Sequence, residues 1–456
     1  MIELKDKNVL VVGLGKSGLS AARFLKNRGA YPIITDQAPE NKLAGIVRDV
    51  NQIGIPTQLG GHKVETFLSS DLIILSPGVP HTIEPVHIAN KKGIPVWGEI
   101  ELASKFISEP IIAVTGTNGK TTTTTLIGEM LKSSGFNVFV GGNIGNPLIE
   151  YADSGQEADI VVAEVSSFQL DTTDTFKPKV SVLLNIAEDH LDRYDDFDVY
   201  ALSKAKIFQN QFESDFAVLN SNDHLVMSIT KHIRANKLFF NADKDIEAGA
   251  VINCDTVYLK INKDKKLKID LSYCNLKGRH NYENIAAASL ATLSVGGNID
   301  GIIAAVKNFT GLPHRLEYVA TIDDVQYFDD SKATNIGAVI RALETFKNPL
   351  ILIMGGRDKG GDYSLLNELI KKHARLLVLT GEAADKIENV LGDIVQTIRT
   401  DSLDEAVLTA SKAANPGDAV LLSPACSSFD MFENYHMRGE AFCHAVKKLK
   451  QGDQKL

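Results

Sequence analysis

Cysteine is scarce in this sequence, and the few cysteines lie far apart. The 456 residues contain four of them, at Cys254, Cys274, Cys426 and Cys443. Because none forms a C-x-x-C pair or a cluster with metal-ligand spacing, the sequence argues against a disulfide scaffold or a structural zinc site and predicts buried free thiols. Cys426 lacks a recognisable Cys/His activation pattern, so we interpret it as a loop thiol rather than a nucleophile.

Long apolar runs and basic blocks are also missing. No run approaches the roughly 18 apolar residues of a membrane helix, and the N-terminus has no secretory hydrophobic segment. A net charge of -9 argues against nucleic acid as a partner. We therefore expect a cytoplasmic protein without membrane insertion, and the length predicts about three domains.

The most informative segment that is present is Thr115–Thr122, which reads T-G-T-N-G-K-T-T. It follows the apolar run Ile111–Val114 and precedes a helix-forming stretch, so it predicts a turn whose N–H groups face nucleotide phosphates. Lys120 is placed to reach terminal phosphate oxygens, and Thr121 to bind Mg²⁺. Val114 stands where the full phosphate-loop pattern has its first glycine. The alternative is an ordinary strand–turn–helix with a surface lysine.

A second glycine-rich turn, Gly13–Gly18, lies near the N-terminus and reads G-L-G-K-S-G. It follows a β-rich run, and Asp36 ends the next such run, as in dinucleotide-binding folds. One dinucleotide fingerprint does not account for the second phosphate loop at Lys120. We therefore favour a bound nucleotide or nucleotide-sugar at the Gly13 turn. A redox cofactor and a purely structural turn remain alternatives.

Alternating β-rich and helical stretches predict an α/β fold with three domains in series. We expect a Rossmann-like domain over residues 1–98 and a P-loop ATPase-like domain with added antiparallel strands over 99–311. A second Rossmann-like domain is expected over 312–456.

Polar residues that follow strands of the central domain are candidate metal ligands. Glu164 ends one strand and suits Mg²⁺, although a buried glutamate paired with a lysine would look the same. His190 follows the next strand, and the alternative is a structural histidine. Lys204 is predicted to share a helical face with apolar residues between Val199 and Gln211, where an unpaired charge is costly. A snorkelling lysine is the alternative.

Other polar clusters open helices or follow strands later in the chain. Asn281 and Asn284 begin a helical stretch and would offer amides to a base, although Asn281 would serve equally as a helix cap. Loops at 329–335, 355–361 and 423–430 place lysines and hydroxyls at one predicted sheet edge. This edge suits a small substrate bearing carboxylates.

Taken together, these motifs resemble the Mur ligases, the ATP-dependent amide-forming enzymes of peptidoglycan precursor synthesis. The resemblance covers essentially the whole chain. The T-G-T-N-G-K-T-T loop is shared with folylpolyglutamate synthetases. The V-V-G-L-G-K-S-G-L-S, S-P-G, D-D-S-K-A-T-N and L-S-P-A-C-S-S-F-D-M-F segments resemble the members that add D-glutamate.

The resemblance implies an ATP-dependent ligase of cell-wall biogenesis, and so of cell shape and division. Its implied substrates are ATP, D-glutamate and UDP-N-acetylmuramoyl-L-alanine, with two Mg²⁺ ions as cofactors and a carbamylated Lys204. We expect a monomer. The implied catalytic residues are Lys120, His190 and Lys204, and the implied metal ligands are Thr121, Glu164, His190 and Lys204. Lys206 is the alternative to Lys204.

The same resemblance implies the binding residues. Those for ATP are Gly116, Thr117, Asn118, Gly119, Lys120, Thr121, Thr122, Asn281, Asn284, Arg315, Asp330 and Lys332. Those for the sugar nucleotide are Gly13, Gly15, Lys16, Ser17, Gly18, Asp36, Gln37, Ser76, Gly78 and Asn143. Those for D-glutamate are Thr334, Lys359, Ser428 and Tyr435. Two positions depart from the family: Asp36-Gln37-Ala38 replaces a frequent aspartate-threonine-arginine run, and Tyr435 replaces a phenylalanine found in some relatives.

Three other functions compete with this interpretation. One is a sister ligase that adds another amino acid or extends a folate. Another is a redox enzyme that uses the Gly13 turn. The third is a nucleotide-binding regulator without catalysis.

Overall fold

A computed structural model describes residues 2–189, 193–194, 196–241, 248–262, 265–276 and 278–452. In these residues three separate sheets form, each with helices between its strands. The predicted α/β fold with three domains in series is therefore confirmed, while the boundaries at 98/99 and 311/312 stay predictions. No helix in the described ranges is both long and apolar enough to span a bilayer.

The first sheet is parallel throughout, with the Rossmann-like order β3-β2-β1-β4-β5. Its strands are β1 (Asn8–Val12), β2 (Tyr31–Asp36), β3 (Thr57–Leu59), β4 (Leu72–Leu75) and β5 (Val96–Gly98). The helices of this region are α1 (Lys16–Asn27), α2 (Ala44–Gln52), α3 (Val64–Leu68), α4 (Glu84–Lys91) and α5 (Glu99–Ser104), with a 3₁₀ turn at Glu40–Lys42. The three-residue strand β3 is absent from the sequence prediction.

The second sheet is parallel from β7 to β12 and antiparallel at its other edge, in the order β14-β13-β12-β11-β10-β9-β6-β8-β7. Its strands are β6 (Ile111–Thr115), β7 (Val138–Gly142), β8 (Ile160–Glu164), β9 (Val180–Leu183), β10 (Phe216–Asn220), β11 (Asn236–Phe240), β12 (Gly249–Asn253), β13 (Thr256–Asn262) and β14 (Lys265–Asp270). The helices are α6 (Lys120–Ser133), α7 (Leu148–Ser154), α8 (Ser167–Leu170), α9 (Phe197–Ala205), α10 (His224–Ile229), α11 (Arg279–Ser294) and α12 (Ile299–Asn308), with a 3₁₀ turn at Lys206–Phe208. The antiparallel strands β13 and β14 confirm the predicted addition to the core.

The third sheet has the order β15-β16-β20-β17-β18-β19 and is parallel except for β15. Its strands are β15 (Glu317–Ile322), β16 (Val325–Asp329), β17 (Leu350–Gly355), β18 (Ala374–Thr380), β19 (Thr397–Arg399) and β20 (Ala419–Ala425). The helices are α13 (Ile336–Leu343), α14 (Asn367–His373), α15 (Ala384–Leu391), α16 (Leu403–Ala413) and α17 (Tyr435–Gly452), with a 3₁₀ turn at Tyr363–Leu366.

Strand β17 shows why the third sheet is buried on both faces. Leu352 and Met354 pack in one apolar cluster, and Ile351 and Ile353 pack in the other. Because successive side chains point to opposite faces, a strand buried on both sides reads as a continuous apolar run.

The described chain divides into two compact units. The first contains the first two sheets, over Met1–Ile186, Asp198–Tyr273 and Glu283–Asn308. The second contains the third sheet, over Phe309–Leu456, together with Ala187–Phe197 and Cys274–Tyr282.

Within the first unit, α1 and β5 connect the two sheets. Ser20 Oγ donates to Glu150 Oε1 over 2.7 Å, and the Gly98 amide donates to the Thr172 carbonyl over 2.9 Å. The buried Glu99 carboxylate accepts from the Ile149 amide over 2.7 Å, and burial raises its pKa to about 7. Hydrogen bonds therefore connect the regions of the first two sheets.

All four cysteines are free, as predicted, but their burial varies. Cys274 and Cys426 are buried and Cys443 is partly exposed. Cys254 is exposed, so the prediction of burial is wrong there: it lies in the β12–β13 turn with a positive φ of 47°, away from the core.

Candidate active site

The loop between β6 and α6 has the shape that its glycines predict. Gly116 and Gly119 have φ values of 147° and 86°, in a region that favours glycine. A Cβ atom on Gly119 would lie 2.4 Å from Asn284 Oδ1, so no side chain fits there without displacement. Helix α6 begins at Lys120, so the positive end of its dipole lies at this loop, where it favours an anion.

Two lysines converge on the carbonyl oxygen of Gly116. Lys120 Nζ donates to the Gly116 and Thr117 carbonyls, each over 2.8 Å, and Lys204 Nζ donates to the Gly116 carbonyl over 3.1 Å. Asn185 fixes the loop from the other side, because its side chain exchanges hydrogen bonds with the backbone of Asn118. Hydrogen bonds from both lysines and from Asn185 thus hold the loop in place.

Lys204 points inward, as its helical spacing predicts. Its side chain is 1% exposed, and its Nζ lies 4.4 Å from the centre of the Tyr200 ring. The helix that carries it is shorter than predicted, since α9 ends at Ala205 and a 3₁₀ turn follows. Lys206, the alternative, is half-exposed and pairs with Asp171 at 2.8 Å. Burial therefore favours Lys204 over Lys206 as the lysine whose charge must be paired or chemically altered.

Glu164 lies at the carboxyl end of β8, beside Val114 of β6. Its Oε1 accepts from Asn143 Nδ2 over 2.8 Å, while its buried Oε2 has no hydrogen-bond partner among the described residues. The predicted alternative, a lysine paired with this carboxylate, is not seen in the described part of the chain. An unsatisfied buried carboxylate oxygen fits a divalent cation. His190, another of the predicted metal ligands, lies outside the described residues.

A cavity of about 770 Å³ extends from the Gly13 turn to Asn143. The predicted residues that line it are Gly13, Gly15, Lys16, Ser17, Asp36, Gln37, Ser76, Gly78 and Asn143. Gly18 does not line it: a Cβ atom there would lie 2.0 Å from the Gly13 carbonyl oxygen, so this glycine allows α1 to pack against the turn. Asn143 thus touches both this cavity and Glu164.

Two of the predicted sugar-nucleotide residues also have bonds within the protein. Lys16 Nζ donates to the Gly145 carbonyl over 2.8 Å and to Asn146 Oδ1 over 3.0 Å. The Asp36 carboxylate accepts from the amides of Leu14 and Ala38, each over 2.7 Å. Both side chains therefore shape the cavity wall in addition to facing it.

Other lining residues, among them His62, were not predicted from the sequence. His62 lies three residues after β3, and this strand is too short to give a period-2 signal. His62 can therefore be recognised as a polar residue that follows a strand only once β3 is known.

In the second unit, three of the nucleotide-side residues predicted from the sequence, Arg315, Asp330 and Lys332, lie just before β15 or just after β16. Asp330 accepts from the Leu316 amide over 3.2 Å and from Ser423 Oγ over 3.1 Å, and burial raises its pKa to about 7. Lys332 Nζ lies 3.8 Å from the centre of the Tyr435 ring. Arg315 is close enough to Asp330 to lower its pKa against the effect of burial.

Tyr435 was assigned to D-glutamate by resemblance, but here it stacks on a predicted ATP-side lysine. Asn281 lies inside the first turn of α11, which begins at Arg279, so it is not the helix cap.

A smaller cavity in this unit, of about 230 Å³, is lined by Thr334 and Lys359. Lys359 Nζ lies 3.2 Å from Asp189 Oδ1, and Asn335 Nδ2 donates to Asp189 Oδ2 over 3.1 Å. Ser428 and Tyr435 are not among its lining residues. The cavity presents a cation and a hydroxyl, as an amino-acid carboxylate would require.

Arg438, which the sequence analysis missed, joins three loops of this unit. The guanidinium is 4% exposed and donates to Ser331 Oγ over 3.0 Å and to the carbonyls of Ser331, Cys426 and Ser427 over 2.8, 3.0 and 3.3 Å. It also reaches the Gly355 carbonyl at 3.5 Å. Burial lowers its pKa to about 10, so it remains charged at neutral pH.

Cys426 lies in one of these loops, 3.1 Å from the Tyr363 hydroxyl. Burial raises the pKa of its thiol to about 11. A thiol that stays protonated is a poor nucleophile, which agrees with its interpretation as a loop thiol.

Comparison with known proteins agrees with this architecture. Residues 7–98 match the family model described as Mur ligase MurD-like, N-terminal domain. Residues 114–292 match the Mur ligase middle domain, and residues 314–426 match the Mur ligase, glutamate ligase domain.

Individual relatives give the same result. The chain is 56% identical over 452 residues to the UDP-N-acetylmuramoylalanine--D-glutamate ligase of Desulfosudis oleivorans, covering 99% of this chain and 98% of that protein. Among solved structures, the pseudomurein peptide ligase type C from Methanothermus fervidus superposes with a TM-score of 0.62 at 20% identity, covering 97% of this chain and 100% of that one. The MurF ligase from Thermotoga maritima in complex with ADP gives 0.62 at 18% identity, covering 98% and 96%. With three family domains matched in chain order and a highly identical relative matched over nearly its full length, the chain belongs to the Mur ligase family.

Proposed function

We propose that this chain joins D-glutamate to UDP-N-acetylmuramoyl-L-alanine at the expense of ATP, releasing ADP and phosphate. The observation that carries the proposal is Asn143, which lines the sugar-nucleotide cavity and donates to Glu164 beside the phosphate loop. A substrate in that cavity would extend toward the phosphates of ATP. The name of the Desulfosudis relative, a UDP-N-acetylmuramoylalanine--D-glutamate ligase, supports the same two substrates for the ligation.

The reaction would proceed in two steps. The alanyl carboxylate attacks the γ-phosphoryl group of ATP, giving an acyl phosphate and ADP, and the amine of D-glutamate then displaces phosphate. Lys120 and the N-terminal amides of α6 would stabilise the triphosphate oxygens. Holding the reactants in register could supply roughly 7–11 kcal/mol of the barrier.

Two Mg²⁺ ions are part of the proposal. The unpartnered Oε2 of Glu164 supports one site, which Thr121 would complete, and His190 with a carbamylated Lys204 would hold the other. When bound, Mg²⁺ would neutralise the repulsion between a carboxylate and a triphosphate. We assign Asn281, Asn284, Arg315, Asp330 and Lys332 to ATP.

Thr334, Lys359, Ser428 and Tyr435 are assigned to D-glutamate. Thr334 and Lys359 share the smaller cavity of the second unit, which supports this assignment. We further propose a cytoplasmic monomer.

The test is incubation of the full chain with ATP, Mg²⁺ and UDP-N-acetylmuramoyl-L-alanine, together with D-glutamate, L-glutamate or L-lysine. We expect ADP and a sugar-nucleotide dipeptide only with D-glutamate. Product with L-lysine would indicate a sister ligase. In a parallel incubation to which NADH is added, NADH oxidation without ADP release would indicate a redox enzyme, and nucleotide binding without turnover would indicate a regulator.

Carbamylation of Lys204 has its own test. The neutral amine of Lys204 would add to CO₂, forming an N–C bond and releasing one proton, and the product would be an anionic oxygen ligand. We expect Lys204→Ala to lower ADP release at least about 100-fold, and acetate to restore part of it by supplying the missing carboxylate. Steady-state assays with and without acetate measure the effect.

Lys206→Ala is the matched control. Because Lys206 is half-exposed and pairs with Asp171, this variant should keep most of its activity and show no response to acetate. Loss of activity in Lys206→Ala with full activity in Lys204→Ala would move the modification to Lys206. An intact-protein mass spectrum without a CO₂ adduct, joined to failure of acetate rescue, would refute carbamylation.

A further inference from the structure

The loop after β3 turns back over the end of β2. The Gly60 amide donates to the Ala38 carbonyl over 3.0 Å, and the Gly61 amide donates to the Asp36 carbonyl over 3.1 Å. Both glycines have positive φ, 81° and 141°, so a side chain at either would be strained. The turn places His62 in the wall of the 770 Å³ cavity, with Asp36 and the Gly13 turn.

Hydrogen bonds around His62 assign its tautomer. The Thr35 hydroxyl has one hydrogen, which it donates to the Gly61 carbonyl over 3.2 Å. We assign Nδ1 of His62, which lies 3.1 Å from the same hydroxyl oxygen, as a donor to it, because this tautomer satisfies both contacts. Burial lowers the pKa of His62, against the attraction of Asp36, so the ring is neutral at pH 7–8. Its Nε2 then carries a lone pair and can accept a hydrogen bond.

The order of the strands indicates which part of the nucleotide meets this acceptor. The Gly13 turn follows β1, Asp36 ends β2, and His62 follows β3, and these three strands are neighbours in the sheet. A nucleotide whose diphosphate lies at the β1 turn and whose ribose lies at β2 brings its base to β3. Ala38 offers no side-chain hydrogen bond, and the exposed amide of Gln37 can turn to present either its oxygen or its NH₂ group.

We infer that His62 determines the base specificity of the sugar-nucleotide site, with Nε2 accepting a hydrogen bond from N3–H of uracil. Cytosine has a lone pair at N3 and would meet the lone pair of Nε2. The inference rests on the proposed function, which supplies a nucleotide-sugar for this cavity.

Binding of UDP and CDP to the full chain, measured by calorimetry at pH 8, tests the inference directly. We expect the wild type to bind UDP at least about tenfold more tightly than CDP. His62→Gln should bind both with similar affinity, because its carboxamide can present either an acceptor or a donor. Gln37→Ala should weaken both without changing their ratio. His87→Gln, at an exposed position on α4, should behave as the wild type.

An unchanged UDP preference in His62→Gln would overturn the inference. Binding of 2′-deoxy-UDP adds a second criterion: if His62→Gln weakens UDP but not 2′-deoxy-UDP, the partner of His62 is a ribose hydroxyl and the inference is wrong. Since binding needs no turnover, an inactive protein that still loses its UDP preference in His62→Gln would refute the proposed function and leave the role of His62 supported.

Discussion

Lys120→Ala is expected to reduce ADP release that depends on the sugar nucleotide by at least about 1000-fold. Lys120 is the charged group of the phosphate loop, and its ammonium lies over the carbonyls of Gly116 and Thr117. Removal of one preorganised donor from a transition state costs about 10² to 10³ in rate, and a full charge facing a triphosphate belongs at or beyond the upper end. Steady-state ADP formation with saturating substrates measures the loss.

Lys132→Ala is a matched control for this variant. Lys132 lies in the last turn of the same helix, is half-exposed, and pairs with Glu129 at 3.0 Å. A surface ion pair of this kind contributes about 0.2–1 kcal/mol to stability, so the control should keep near-normal turnover. Near-normal turnover of Lys120→Ala itself would refute the assignment of the phosphate loop.

The largest expected effect on stability comes from Arg438→Met. This change removes the donor to the carbonyls of Ser331 and Cys426 in a buried region, whereas the Ser427 carbonyl keeps the Arg357 amide at 2.9 Å. Unsatisfied buried acceptors cost about 1–3 kcal/mol each, so we expect the free energy of unfolding of the second unit to fall by about 3–5 kcal/mol. Urea unfolding followed by circular dichroism measures the change.

Arg438→Lys separates charge from geometry. A lysine retains the charge but lacks the planar fork that reaches several acceptors, so its unfolding midpoint should lie between those of the wild type and Arg438→Met. Lys447→Met changes an exposed lysine of the same helix and should leave the midpoint nearly unchanged. Equal midpoints for Arg438→Met and Lys447→Met would show that the guanidinium does not stabilise these loops.

The local features of the site could be predicted from the sequence because they depend on short-range patterns. The strand, glycines and helix around Lys120 occupy one continuous segment, and the burial of Lys204 follows from helical spacing alone. The Rossmann-like first sheet follows from the Gly13 turn and the alternation of strands and helices.

Features that depend on distant residues could not be predicted. Arg438 lies on the last helix, while its acceptors come from loops up to 107 residues away. His62 follows the three-residue strand β3, which is too short to be predicted from the sequence. Nothing in the Gly13 turn indicates that Lys16 donates to the Gly145 carbonyl. Such contacts are set by the packing of whole elements, which a single sequence does not display.

The pairing of Val114 with Glu164 has a consequence for transplanting this loop into another protein. Because β6 and β8 are in fixed register, the unpartnered carboxylate oxygen and the start of α6 are positioned from one common edge. One residue inserted between Val114 and Lys120 would add up to about 3.6 Å of chain to the loop and so shift Lys120 relative to that edge. A transplanted segment must therefore include β8 as well as the loop. A segment that contained only Thr115–Thr122 would lack the Glu164 carboxylate of the proposed cation site.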